Sequence, residues 1–121
     1  FINQALRDEP ITVYGDGSQS RSFCYITDMV EALEKVMFSE GIAGEVFNIG
    51  NPNEISILDI AKTIKNITSS DSEIVFKPLP QDDPTKRRPD ITKIKERLAW
   101  EPRVSLEEGL KETMKHFKNK L

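Results

Sequence analysis

The stretch from Val13 to Asp28 places a turn, a short aromatic segment and a helix start within sixteen residues. Asp16-Gly17 forms the turn in this interpretation, because glycine tolerates a positive φ and aspartate can bond its own backbone. Arg21 follows the turn and carries a rigid, permanently charged fork that suits a phosphate or a carboxylate. We therefore expect short elements here and an edge that faces a ligand, in place of a plain hairpin.

The composition sets the class of molecule. A chain of 121 residues is one domain with a modest core. Its net charge of −3 argues against a broad nucleic-acid surface, and no apolar run approaches the ~20 residues that span a bilayer. The single cysteine, Cys24, allows no internal disulfide. We expect a cytoplasmic protein without nucleic acid or membrane as a partner.

Hydrophobic periodicity predicts few short strands and four or five helices, and therefore an α+β fold. The strands are expected at residues 11–14, 23–26, 45–49 and 73–77. The first helix ends within residues 1–8, and Thr27 or Asp28 caps a second that ends near Gly41. Serine-led capping boxes begin helices at Ser56 and Ser105, and Asp90 caps a short one between them. The apolar faces of the second and last helices are Val30, Leu33, Val36 and Met37, and Leu106, Leu110, Met114, Phe117 and Leu121.

Two basic stretches could supply local charge for a phosphorylated ligand. Arg21 could instead form a salt bridge with Asp16 or Asp28, which is the more common use of an arginine. Lys86-Arg87-Arg88 lies in a loop stiffened by prolines, which reduces the entropy lost on gripping an anion. The alternative is a solvated charged loop beside Asp82-Asp83.

Among the other polar side chains, two are candidate ligand contacts and two are expected to have no functional role. Tyr14 and Gln19 could hold a base or a ribose, or could be a half-buried strand residue and an exposed turn residue. Cys24 is expected to pack as a small hydrophobe, and His116 lies among lysines on the last helix. The spacing of the potential ligands supports no metal site, and no residue is assigned a catalytic role.

Four stretches carry a resemblance that covers nearly the whole chain. They are Val13 to Asp28, Phe47-Asn48-Ile49-Gly50-Asn51-Pro52, the run from Gln81 to Ile91, and Leu98-Ala99-Trp100-Glu101-Pro102 with Ser105 to Leu110. Together they resemble the C-terminal half of extended short-chain dehydrogenase/reductases, the NAD-dependent epimerase/dehydratase family. The Asp-Asp-Pro and Arg-Arg-Pro-Asp run is most similar to the UDP-glucuronate decarboxylases. The dTDP-glucose 4,6-dehydratases and UDP-sugar 4-epimerases are close neighbours.

The resemblance implies a nucleotide-sugar-binding domain over residues 1–121. It implies that Arg21 and Arg87 grip the pyrophosphate, with Arg88 possible in place of Arg87 and with Arg21 touching NAD as a variant. It further implies a UDP- or dTDP-sugar as ligand and a homodimer of the full-length enzyme.

The family's cofactor and catalytic motifs are not found in these 121 residues. The nearest glycine-rich string, Gly15 to Ser20, lacks the third glycine and leads into a strand. A Tyr-x-x-x-Lys motif is also missing, since Ser18 follows Tyr14 by four residues and Met29 follows Tyr25. We therefore expect a truncated or proteolysed piece, inactive alone, whose N-terminal Rossmann domain binds NAD. A free-standing binding or assembly module is the alternative from another class.

Overall fold

The computed structural model describes residues 1–81 and 87–121. Within those ranges the chain forms five helices and four short strands, which confirms the predicted α+β class. In chain order they are α1 (Ile2–Leu6), β1 (Ile11–Tyr14), β2 (Ser20–Ser22), α2 (Ile26–Phe38), β3 (Glu54–Ser56), α3 (Ile57–Thr68), β4 (Ile74–Lys77), α4 (Thr92–Leu98) and α5 (Leu106–Lys118).

The four strands form two separate pairs. β1 and β4 run parallel, from Ile11 opposite Ile74 to Tyr14 opposite Lys77. A parallel pair needs a crossover, and α2 and α3 both lie between these strands in the chain. β2 and β3 are antiparallel, with Ser20 opposite Ser56 and Ser22 opposite Glu54. Because β3 leads directly into α3, the second pair lies at the start of that helix.

The larger hydrophobic core joins β1 to α1 and α3. Ile11 and Val13 are fully buried on one face of β1, and Ile60 and Ile64 from α3 pack against them. Full burial of such an aliphatic side chain stabilises a fold by about 1.5–3 kcal/mol. Leu106 and Leu110 bring α5 against the same cluster, so the predicted apolar stripe of the last helix is confirmed at its N-terminal end. Leu121 lies beyond α5 and is exposed.

A second, smaller core surrounds Trp100, which is almost completely buried beside Ala32, Ile91 and Ile94. Its indole Nε1 donates a hydrogen bond to the carbonyl oxygen of Asp28 at 3.1 Å. The buried Asp28 carboxylate accepts bonds from the backbone N–H groups of Arg103 at 3.1 Å and Val104 at 3.0 Å. Asp28 therefore fastens the first turn of α2 to the segment before α5.

The prediction that Thr27 or Asp28 caps α2 is therefore wrong. The helix begins at Ile26 after Tyr25, and no side chain caps it. The Asp28 carboxylate would satisfy an N–H of its own helix at a cap position. Here it serves two N–H groups that are distant in the chain.

Two of the strand predictions are also wrong. Residues 23–26 form no strand, because the pairing of β2 with the three-residue strand β3 ends at Ser22. Ile26 already belongs to α2. Residues 45–49 belong to no strand. Phe47 and Ile49 pack on the Trp100 core, and Lys93 Nζ donates to the carbonyl oxygen of Val46 at 2.8 Å. Side chains of α4 thus hold this segment.

Two of the three capping predictions for the later helices are confirmed. The Ser56 hydroxyl accepts from the Asp59 N–H at 3.1 Å, and the Ser105 hydroxyl accepts from the Glu108 N–H at 3.2 Å, which confirms both helix starts. The prediction that Asp90 caps the short helix is wrong, because α4 follows Ile91 and no side chain caps it. Asp90 instead bonds the first residue of the helix, and its Oδ1 accepts from the Thr92 hydroxyl at 2.6 Å and from the Thr92 N–H at 3.0 Å. The hydroxyl bond, followed by the N–H bond, lowers the pKa of Asp90.

The apolar face that was predicted to pack α2 into the core is mostly exposed. Val36 reaches the Trp100 core, but Val30, Leu33 and Met37 are 45%, 51% and 74% exposed. Ile26 extends this row at 62% exposure. Since these positions recur at helical spacing, they form one continuous band. We call Ile26, Val30, Leu33 and Met37 the α2 outer stripe.

We expect Asp28→Ala to lower the free energy of unfolding by about 1–3 kcal/mol, because two partly buried N–H groups lose their charged acceptor. Urea denaturation of the chain measures the change. Glu34→Ala, an exposed position on the same helix, is the matched control and should shift stability by less than ~0.5 kcal/mol. Equal unfolding midpoints for the two variants would contradict the role given to Asp28.

Candidate functional site

The turn between β1 and β2 has the predicted chemistry. Gly15 and Gly17 have φ values of 66° and 78°, and Asp16 Oδ1 accepts from the Ser18 N–H at 2.9 Å. Bonds from Ser18 lower the pKa of Asp16 below its ordinary value. Gln19 is buried, and its Nε2 donates to the carbonyl oxygen of Tyr14 at 2.9 Å, which closes the turn from inside. The turn delivers the chain into β2 with Arg21 at its centre.

Arg21 lies on β2 beside the second arginine segment. Its Nη1 donates to the Ser20 carbonyl oxygen at 2.7 Å. The hydroxyl of the next residue, Ser22, donates to the carbonyl oxygen of Arg87 at 3.0 Å. Residues 87–89, which we call the arginine arm, therefore run alongside β2.

Three arginines surround one cavity of about 520 Å³. Arg21 and Ser22 contribute from β2, and Arg87, Arg88 and Pro89 contribute from the arginine arm. None of the described residues that line this cavity is acidic. Guanidinium groups offer paired donors that match phosphate and carboxylate oxygens. The arrangement can therefore bind an anion with several oxygens, such as a diphosphate.

A larger cavity of about 1020 Å³ shares Arg88 and Pro89 with the first. Its other lining residues carry both signs of charge, and Lys95 pairs with Glu101 at 3.1 Å. Opposite charges in one wall cancel much of the field that an anion would feel. The preference for an anion therefore belongs to the smaller cavity.

The structure brings together three of the five predicted contact residues. Arg21, Arg87 and Arg88 line the smaller cavity, whereas Tyr14 and Gln19 line neither cavity. Tyr14 is 48% exposed at the end of β1, in the other strand pair, so it is open to a ligand that extends in that direction. The amide of Gln19 is used inside the turn, and its contact with ligand stays a prediction. Asp82, Asp83 and Lys86 lie outside the described residues.

Two residues that the sequence did not single out contact the arginine arm. Ser22 bonds the main chain of Arg87, and a Cβ placed on buried Gly50 would come within 2.9 Å of Pro89 Cγ. In the sequence, Ser22 is one of many serines and Gly50 belongs to an ordinary turn cluster. No local pattern could have revealed either contact, since both partners are distant in the chain.

Other reactive side chains have structural surroundings. Burial, followed by the charge of Asp28, raises the pKa of the Cys24 thiol, which disfavours the nucleophilic thiolate. His116 contacts Phe117 edge to face at 5.4 Å on α5. Within residues 1–81 and 87–121 there is no cluster of three potential metal ligands. No helix in the same ranges has the length and apolar character needed to cross a bilayer.

The glycine-rich turn does not fit a dinucleotide. In the dinucleotide fingerprint the glycines lie between a strand and the helix whose N-terminus faces the pyrophosphate. Here the turn leads into β2, and a Cβ on Gly17 would lie 2.7 Å from Leu58 Cβ at the start of α3. The space beside Gly17 is thus filled by the protein's own packing.

The family model described as GDP-mannose 4,6 dehydratase matches residues 1–113. The chain belongs to this family. Its resemblance to the UDP-glucuronate decarboxylases is also confirmed. It is 48% identical over all 121 residues to UDP-glucuronic acid decarboxylase 2 of Arabidopsis thaliana and 51% identical to UDP-glucuronic acid decarboxylase 1 of Danio rerio. The chain spans only 27% and 28% of the length of these two relatives.

Solved structures agree with this assignment. The UDP-glucose 4-epimerase of Thermotoga maritima, solved with UDP-glucose, superposes with a TM-score of 0.92 at 40% identity. The UDP-glucuronic acid 4-epimerase of Bacillus cereus, solved with UDP-glucuronic acid and NAD, gives 0.93 at 34% identity. These matches cover 98% and 99% of this chain but 38% of each epimerase.

Proposed function

We propose that this chain is the substrate-binding part of an NAD-dependent nucleotide-sugar enzyme that decarboxylates UDP-glucuronate. Its role is to anchor the diphosphate of the nucleotide through Arg21, Arg87 and Arg88. The observation that carries this proposal is the meeting of these three arginines around one cavity. The likeness to two UDP-glucuronic acid decarboxylases over the whole chain supports the choice of reaction.

The physical argument rests on the chemistry of the guanidinium group. Three guanidinium groups line one cavity, and an anion between them can form charge-assisted hydrogen bonds with each. When the nucleotide end of the substrate is anchored, the sugar at its other end is held in a fixed orientation relative to the reacting groups. Such positioning contributes to catalysis by reducing the entropy lost on reaching the transition state.

NAD and the catalytic groups belong, in this proposal, to an N-terminal Rossmann domain outside the 121 residues. Two observations support that division of labour. The glycines of the β1–β2 turn do not fit a dinucleotide, and the curated relatives are about four times as long as this chain. In this proposal the arginines bind the substrate and carry out no chemical step, and the variant in which Arg21 touches NAD stays a prediction.

A 4-epimerase or a 4,6-dehydratase is the second candidate. The 40% identity to a UDP-glucose 4-epimerase favours it, since the diphosphate is common to all these substrates. The arginine site suits each of them equally, so the choice of reaction rests on the higher identity to the decarboxylases. A homodimer and a cytoplasmic location stay predictions, the first from the resemblance and the second from the single cysteine.

We expect the full-length protein with NAD to release CO₂ from UDP-glucuronate, and residues 1–121 alone to be inactive. The reason is that Tyr-x-x-x-Lys and a fitting dinucleotide turn are missing from these residues. Chromatography of the UDP-sugar products together with CO₂ release measures both proteins. Turnover by the 121-residue chain would contradict the division of labour, and an epimerised sugar without CO₂ would favour the second candidate.

Arg21→Ala and Arg87→Ala in the full-length protein should each weaken UDP binding roughly ten- to hundredfold. Each change removes a charge-assisted contact worth ~1.5–3 kcal/mol. Calorimetric titration with UDP and with uridine separates the diphosphate from the base and ribose, and uridine affinity should change little. Arg103→Ala, an exposed arginine outside the smaller cavity, is the matched control. Unchanged UDP affinity in both variants would rule out the diphosphate site.

The isolated chain should self-associate, because a neighbouring domain no longer covers its apolar surface. The sequence places that surface near Phe1, Ile2, Tyr14 and Phe23. In the structure Phe1 and Ile2 pack on the larger core, whereas Tyr14 and Phe23 are exposed and the α2 outer stripe adds a longer apolar band.

Sedimentation across a concentration range tests this expectation. Leu33→Glu with Met37→Glu on the α2 outer stripe should shift the isolated chain toward monomer. Glu34→Gln on the same helix should leave its association unchanged. A strictly monomeric wild-type chain at high concentration, with no binding of an apolar dye, is the outcome that contradicts a missing partner surface.

A further inference from the structure

The arginine arm has little secondary structure to hold it. Residues 87–91 belong to no helix or strand, and regular structure resumes only at α4. The segment that follows the arm is fastened, because Ile91 and Ile94 are buried in the Trp100 core. The position of Arg87 and Arg88 relative to Arg21 therefore depends on contacts that the arm itself makes.

One contact fixes the start of the arm. The Ser22 hydroxyl donates to the main-chain carbonyl oxygen of Arg87 at 3.0 Å. Because this bond is to the backbone, it sets where the main chain of Arg87 lies and leaves the guanidinium available to the cavity. Ser22 is the residue next to Arg21 on β2, so this bond holds the main chain of Arg87 close to Arg21.

A second contact fixes the end of the arm. Gly50 is buried, and a Cβ at this position would lie 2.9 Å from Pro89 Cγ and 3.4 Å from Pro89 Cβ. A separation under 3.0 Å is not tolerated between carbon atoms, and a proline ring cannot turn aside as a flexible side chain can. Only glycine lets Pro89 pack so closely, since every other residue carries a Cβ.

We propose that Ser22 and Gly50 are positioning residues. They hold the arginine arm against β2, so that Arg87 and Arg88 lie beside Arg21 before a ligand binds. This inference rests on the proposed function, because it assumes that the arginines bind a diphosphate. The two residues act through the main chain and the proline ring, and touch no ligand themselves. They fix the main chain of the arm in advance, so that less conformational entropy is lost when a ligand binds.

The test uses the full-length protein, with UDP and uridine as probes in calorimetric titration. Ser22→Ala should weaken UDP binding about two- to tenfold through the loss of one hydrogen bond, while uridine affinity stays unchanged. Ser22→Thr keeps the hydroxyl and should restore UDP binding. Ser20→Ala removes a hydroxyl from the same strand that bonds Glu54, and should bind UDP as wild type. Gly50→Ala should weaken UDP binding as well, by displacing Pro89.

A double-mutant comparison shows whether Ser22 acts through the arm. In an Arg87→Ala/Arg88→Ala background, Ser22→Ala should cause no further loss of UDP affinity. A full further loss in that background, or wild-type UDP affinity for both Ser22→Ala and Gly50→Ala, would overturn the positioning role while the arginine site stands. Wild-type UDP affinity for Arg21→Ala and Arg87→Ala would instead overturn the proposed function itself.

Discussion

The buried carboxylate of Asp28 is the interaction on which the arrangement of this fold most depends. The chain has two small cores, one between β1 and α3 and one around Trp100. Asp28 bonds two backbone N–H groups of the segment between Trp100 and α5, and its own carbonyl oxygen holds the Trp100 indole. One residue thereby joins the start of α2, the Trp100 core and the approach to α5. Bonds from backbone N–H groups to a charged acceptor are among the stronger ones in a protein interior.

The candidate site depends on a different kind of support. Regular structure supplies Arg21, since β2 pairs with β3 in a fixed register, but Arg87 and Arg88 lie on irregular backbone. Irregular segments are specified by individual contacts, because no ladder or helix repeats the same bond at each residue. A hydroxyl bond at one end and a close glycine contact at the other provide that specification here. The prolines near the arm reduce the conformations it would otherwise sample.

Features were predictable from the sequence where the interactions that determine them join residues close together in the chain. The capping bonds of Ser56 and Ser105 lie within three residues, so the starts of α3 and α5 were predictable. The strand predicted at residues 23–26 failed because the length of β3, far along the chain, decides where pairing ends. The charges of the candidate site were visible in the sequence. Their meeting around one cavity was expected only from the resemblance, because no local pattern shows the contacts of Ser22 and Gly50 with a distant segment.

The Trp100 core lies beside exposed apolar surface. α2 packs Ala32 and Val36 against Trp100, yet its outer stripe is equally apolar and faces solvent. A helix that is apolar on both sides is typical of the interior of a larger protein. Residues 45–49 show the same asymmetry, because Phe47 and Ile49 are packed while Val46 is 79% exposed. These features lie around one core, whereas the exposed face of α5 is charged, with Lys111 paired to Glu107. The packed side of each segment builds the Trp100 core, and its exposed side leaves apolar surface beside that core.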